Sequence, residues 1–185
     1  MSKLNHPLEK FIQTISYKRV EFDVVERPDV LWVGSLDYAK GNTGESDIDA
    51  TFQRMLSLKG IPRNDVLDTD YGAALSINYR SNDKPCGLMF GKETYSDKQD
   101  ERFELFTQPG GLWLRLTINE ENDIALLGQK NDGSHLYFHF LNTAAEENGY
   151  KQNPDVDVAV NYDYHPAGDR DDTCPNYVYI PIIKV

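Results

Sequence analysis

Few side chains in this sequence have the type and spacing that chemistry requires. His135 and His139 stand at i and i+4, which puts two imidazoles on one helical face and suits a shared metal ion. A zinc hydrolase needs a glutamate after the first histidine and a third ligand; neither is evident here, so the pair reads as two surface histidines. Asp169, Asp171 and Asp172 crowd one loop, yet the central glycine and closing glutamate of a calcium loop are missing. Cys86 and Cys174 form no CxxC pair and read as small hydrophobes kept reduced in the cytoplasm. No nucleophile elbow, phosphate loop or dinucleotide fingerprint occurs, since Gly110 and Gly111 open a strand rather than a helix. No catalytic residue, metal site or cofactor is assigned. What remains is a set of large aromatic rings.

Strand parity gives those rings a common surface. Side chains alternate faces along a strand. One parity carries aliphatic rows: Leu31 and Val33; Leu75 and Ile77; Leu88 and Phe90; Leu112, Leu114 and Leu116; Val156, Val158 and Val160; Val178 and Ile180. These should be covered by helices. The other parity carries Trp32, Trp113, Tyr177 and Tyr179, with Ala74, Ser76, Asn78, Met89, Asp157 and Asn161 between them. Rings around small residues make a groove suited to a small aromatic or hydrophobic ligand, a cationic one included, with Asn78, Asp157 and Asn161 as polar anchors. Each stacked ring would add about 0.5–1.5 kcal/mol beyond area burial.

The elements that position these residues come from an internal repeat. Phe22, Pro28, Leu31 and Trp32 recur as Phe103, Pro109, Leu112 and Trp113, each displaced by 81 residues. Between the matched segments each half has a helical pattern. Ser46 with Asp49 resembles a capping box ahead of Ile48, Phe52, Met55 and Leu56, with Gly60 and Pro62 as stops. In the second half Asp132 or Ser134 caps a helix presenting Leu136, Phe140 and Ala144, ended by Gly149. Each half reads strand, helix, strand, strand. Leu8, Phe11, Ile12 and Ile15 fall at helical spacing, predicting an N-terminal helical extension over 1–18. The expected fold is α+β: tandem βαββ units forming one curved antiparallel sheet with helices on one face, residues 19–185, repeat 1 about 19–97 and repeat 2 about 98–185.

Composition narrows the partners. The 185 residues, 39% hydrophobic and 26% charged, can bury one substantial core. No run approaches the ~18 apolar residues of a membrane span, and the N-terminus lacks the pattern of a signal peptide. The net charge of −11, with no cluster of basic residues, opposes direct nucleic-acid binding. A cytoplasmic location is expected.

The opening VVERPDVLWVG, the closing YIPI (Tyr179–Ile182) and the tandem unit together resemble the gyrase-inhibitor-like (GyrI-like) family, over roughly residues 19–185. These are effector-binding domains of AraC-type and MerR-type regulators, also found free-standing. The resemblance implies a ligand groove between the two halves and an effector-binding or drug-sequestering role. It implies two alternatives as well: hydrolysis of reactive electrophiles, with Asp157, Tyr177 or Tyr179 serving, and inhibition of a protein partner such as a regulator or gyrase. Family members often carry an acid two residues before the closing tyrosine. Here that place is Tyr177, and Asp157 is the substitute considered. The 18 residues before the first strand are too few for a helix-turn-helix, so a free-standing binder is expected.

Overall fold

The computed structural model describes residues 7–38, 48–67, 72–128, 137–163 and 176–185. Among them the chain runs β1 (Lys10–Tyr17), β2 (Val20–Arg27), β3 (Val30–Tyr38), α1 (Ile48–Ser57), β4 (Gly72–Ile77), β5 (Gly87–Thr94), β6 (Glu104–Gln108), β7 (Gly111–Ile118), α2 (Glu120–Leu127), α3 (Tyr137–Glu147), β8 (Tyr150–Gln152), β9 (Val158–Asp163) and β10 (Asn176–Lys184). The strands make one antiparallel sheet in the order β1-β2-β7-β10-β9-β4-β5-β3-β6, with β8 paired to β10. The α+β class and the single sheet are as the sequence predicts.

From β2 to β6 this order reads alike from both ends under the exchange of β2 with β6, β7 with β3, β10 with β5 and β9 with β4. Each hairpin-like pair of strands separates. β2 leaves β3 to pair with β7, and β6 leaves β7 to pair with β3. The registers correspond under the same displacement of 81: Val25 faces Trp113 as Phe106 faces Trp32. The two connecting turns meet, and Gly110 donates its N–H to Asp29 at 2.7 Å. A Cβ on Gly110 would lie 2.7 Å from the Pro28 carbonyl carbon, so only glycine fits that crossing.

Helices cover one face, here the outer one. α3 brings Leu141, Ala144 and Ala145 against Phe22, Val24, Leu114, Leu116, Val178, Ile180 and Ile182, all fully buried. Each buried Phe, Leu, Val or Ile side chain among them contributes about 1.5–3 kcal/mol. α1 sits over β3 and β5, where Phe52 meets Phe90 edge-on with centroids 5.6 Å apart. α3 ends before Gly149 and α1 before Gly60, both in the left-handed region as expected of stops. Ser46, Asp132, Ser134 and Leu136 lie outside the described residues.

Two elements differ from expectation. α2 was not expected; Asn119 caps it by accepting from the Asn122 N–H at 2.8 Å, and Gly128 closes it at φ +76. The N-terminal helix is a strand: Lys10–Tyr17 pairs with β2 through a two-residue turn in which Lys18 and Arg19 both have positive φ. The spacing of Phe11, Ile12 and Ile15 also suits a β-rich KFIQTISY segment, and pairing satisfies the edge of β2 that a surface helix would leave open. Of that stripe Ile15 becomes core and Leu8 packs partly buried against the inner-face cluster, whereas Phe11 and Ile12 stay exposed.

Candidate functional site

The inner face of the sheet, free of helices among the described residues, gathers aromatic and charged side chains. Cross-strand partners share a face. The row Val25, Trp113, Arg115, Tyr177 and Tyr179 therefore joins Val158, Val160, Ala73, Leu75, Ile77, Met89 and, across β3 and β6, Trp32 and Phe106. Trp32 and Trp113 are each 1% exposed and Tyr179 is wholly buried. On a flat sheet Arg27 of β2 and Glu93 of β5 would stand about 24 Å apart, with four strands between them. They form a direct ion pair, so the sheet curls around this face and brings its two halves into contact.

The charges there form one network. Arg27 pairs with Glu93 and lies 3.6 Å from Glu9, which sits just before β1. Arg115 binds Glu9 at 2.7 Å and Asp23 at 2.8 Å. The guanidinium of Arg27 stacks 5.5 Å from the Tyr179 ring centroid, and that of Arg115 stacks 5.2 Å from Tyr177. The tyrosine faces read as stacking surfaces for a ligand are thus already covered by the chain's own cations. Burial opposes the charge on Arg115, but Tyr179, Asp23 and Glu9 more than offset this and hold its pKa above the ordinary range. The indoles differ in their partners. Trp32 Nε1 donates to Gln108 Oε1 at 2.9 Å. The residue corresponding to Gln108 under the 81-residue displacement is Arg27, which has donors only. Trp113 Nε1 is buried with no hydrogen-bond partner among the described residues.

The sequence-predicted residues divide into three groups. Trp32, Met89, Trp113, Tyr177 and Tyr179 come together on the inner face. Ala74, Ser76 and Asn161 do not, because Ala74 pairs Phe90 and Asn161 pairs Val178, both of which face outward. The parity of β4 and β9 is the reverse of that read from the sequence: Leu75, Ile77, Val158 and Val160 point inward, joined there by Val156. The reason is what covers each face. α1 packs on β3 and β5 and α3 on β7, β8 and β10, leaving the outer surface of β4 and β9 between them for small and polar side chains. Asn78 and Asp157 lie just beyond the strands. Asp157 accepts from the backbone N–H and Nε of Arg80, at 3.1 and 3.2 Å, so it is no substitute for a groove acid. The buried acids of the inner-face network are Glu93 and Glu9, whose side chains are 5% and 4% exposed.

The expected open groove is therefore largely filled by its own side chains. Its open end is a cleft of about 550 Å³ lined by Ile77, Asn78, Phe106, Val156, Asp157 and Val158 among others. Ile77, Val156 and Val158 of that lining belong to the aromatic cluster, and Phe106 packs on it. Of the other motifs, His139 is exposed, while His135, Cys174 and the acidic loop Asp169–Asp172 lie outside the described residues.

Sequence reasoning missed Glu9, Arg27, Glu93 and Gln108. Three were within reach of the parity rule: Arg27 follows Asp23 and Val25 on one face of β2, Glu93 follows Met89 and Gly91 on β5, and Gln108 follows Phe106 on β6. Glu9 was hidden by reading its segment as a helix.

Two phenols report on this environment. Burial raises Tyr179 well above the usual tyrosine range, Glu9 adding to the shift and Arg115 and Arg27 opposing it. Near the cleft, burial pushes Tyr79 up to about 12. Both folded pKa values exceed the unfolded value of about 10, so the folded chain keeps protons that the unfolded chain has lost. Stability is expected to fall as pH rises from about 10 toward 12. Denaturant unfolding across that window checks this, with Tyr79→Phe expected to flatten the slope.

No protein-family model matches the sequence, and no curated protein matches it. Solved structures do match in fold. The C-terminal domain of EcmrR aligns with TM-score 0.59 at 12% identity, over 90% of this chain and 99% of that one. A Staphylococcus aureus MU50 protein described as a bacterial transcription regulation protein aligns at 0.58 and 11%, over 88% and 98%. The SAV2435 protein bound to tetraphenylphosphonium aligns at 0.58 and 10%, over 88% and 93%. The chain shares the fold of these domains, the fold implied by its resemblance to the GyrI-like family.

Proposed function

We propose that this chain is a small-molecule-binding protein of the effector-binding or drug-sequestering kind. It takes an aromatic or hydrophobic ligand that enters by the cleft and reaches the Trp32 and Trp113 face. The observation that carries this reading is the continuity between a solvent-open cleft and a buried aromatic cluster that contains both tryptophans. Each repeat, about 19–97 and 98–185, contributes one indole. Asn78 and Asp157 belong to the mouth, and Ala74, Ser76 and Asn161 are set aside because they face outward. The tetraphenylphosphonium held by the SAV2435 protein supports a bulky aromatic ligand class; that likeness is one of fold, and the charge of this chain's ligand follows from its own side chains. The net charge of −11 argues against direct contact with nucleic acid.

Thermal unfolding with a diverse panel of planar aromatic compounds tests the proposal. A compound at 100 times its Kd stabilises the folded chain by about 2.7 kcal/mol, a shift easily read. Recovery of that compound with unchanged mass is expected. A silent panel would defeat the proposal, and an altered mass would make the chain a hydrolase.

A further inference from the structure

We propose that the inner face binds the carboxylate of an aromatic acid between Arg27 and Arg115, in exchange for the side chain of Glu9. This rests on the small-molecule reading above and names the ligand's chemical class. Glu9 and its neighbour Leu8 together resemble such a ligand: an apolar group packed on the aromatic cluster, followed at once by a carboxylate inserted between two buried guanidinium groups. The fit is incomplete. Glu9 Oε1 lies 3.6 Å from Arg27 Nε, and Glu9 Oε1, Arg115 Nε and Trp113 Nε1 are all buried without a hydrogen bond among the described residues. An unmet Arg115 Nε on the guanidinium that holds an imperfectly seated carboxylate marks a place where a better-placed anion would gain, and Trp113 Nε1 is a second unmet donor two residues along the same face of β7.

Charge selects the same class. The network holds Arg27 and Arg115 against Glu9, Asp23 and Glu93. Exchanging Glu9 for another carboxylate leaves that balance unchanged. A cation in its place would stand beside two buried guanidinium groups, and a neutral molecule would leave Arg115 with Asp23 alone among these acids. The exchange also costs no sheet pairing, because the first ladder partner of β1 is Lys10, with Glu26, and Glu9 lies outside it. A docked Glu9 lowers apparent affinity by the fraction of chains in which it is displaced.

The test uses the full chain and Glu9→Ala, titrated with 2-naphthoate, 2-naphthylmethanol and 2-naphthylmethylammonium while tryptophan emission is followed. Glu9→Ala should bind naphthoate at least about tenfold more tightly than the wild type does, and at least about tenfold more tightly than it binds the alcohol. Glu9→Gln, which keeps the side-chain length, takes its place if the alanine variant does not fold. Alcohol or ammonium binding as tightly as naphthoate would overturn the carboxylate assignment and leave the small-molecule reading standing. Equal naphthoate affinity in both proteins would overturn the exchange with Glu9. Silence from all three probes would overturn this inference, and the wider panel then decides the reading beneath it.

Discussion

Replacing Arg27 by methionine should lower the stability of the fold by about 3–5 kcal/mol, the range for removing one partner of a buried ion pair. The Arg27 side chain is wholly buried and the Glu93 side chain nearly so. Methionine keeps much of the apolar stem but removes the guanidinium that pairs with Glu93 in a dry interior. It also removes the cation stacked on Tyr179. The companion experiment separates lost pairing from lost packing. The double variant Arg27→Met, Glu93→Leu should recover most of the loss, because a buried pair exchanged for apolar groups is often neutral. Urea unfolding measures both. A loss under about 1 kcal/mol in the single variant would mean that β2 and β5 do not meet across the inner face.

Trp113→Ala should cost about 3–5 kcal/mol through the cavity it leaves, and should abolish ligand binding even where the variant remains folded. The two indoles are predicted to differ under the milder change to phenylalanine. Trp32→Phe strands the Gln108 amide, whereas Trp113→Phe strands nothing, since Trp113 Nε1 has no partner among the described residues. Leaving a buried polar group unsatisfied costs about 1–3 kcal/mol, so Trp32→Phe should be the more destabilising by about that amount. Equal losses would indicate that the halves are not inequivalent in the way Gln108 and Arg27 suggest.

The outer strands were legible because their alternation is strong. β7 reads Leu112, Leu114, Leu116 against Trp113, Arg115, and β10 reads Val178, Ile180 against Tyr177, Tyr179; in both, the aliphatic set meets α3 and the aromatic set turns inward. The two central strands misled for a physical reason. In β4 and β9 the aliphatic residues mark the better buried face, and there that face is the inner one, because the helices sit to either side. A single strand carries no information on which of two faces a distant helix will cover. Glu9 and Arg27 illustrate a second limit. Buried charges look like surface charges in a sequence, and only the curl of the sheet brings partners 66 residues apart, Arg27 and Glu93, into contact.

The ligand is expected to bind between the two tryptophans. Tryptophan emission of the wild type, Trp32→Phe and Trp113→Phe, titrated with a compound shown to bind by dialysis, tests it most directly. A saturable change is expected in all three proteins, with the wild-type emission midpoint equal to that from dialysis and each remaining indole reporting the same event. Saturable binding by dialysis with both indoles silent would place the ligand elsewhere on the molecule and overturn binding between the tryptophans.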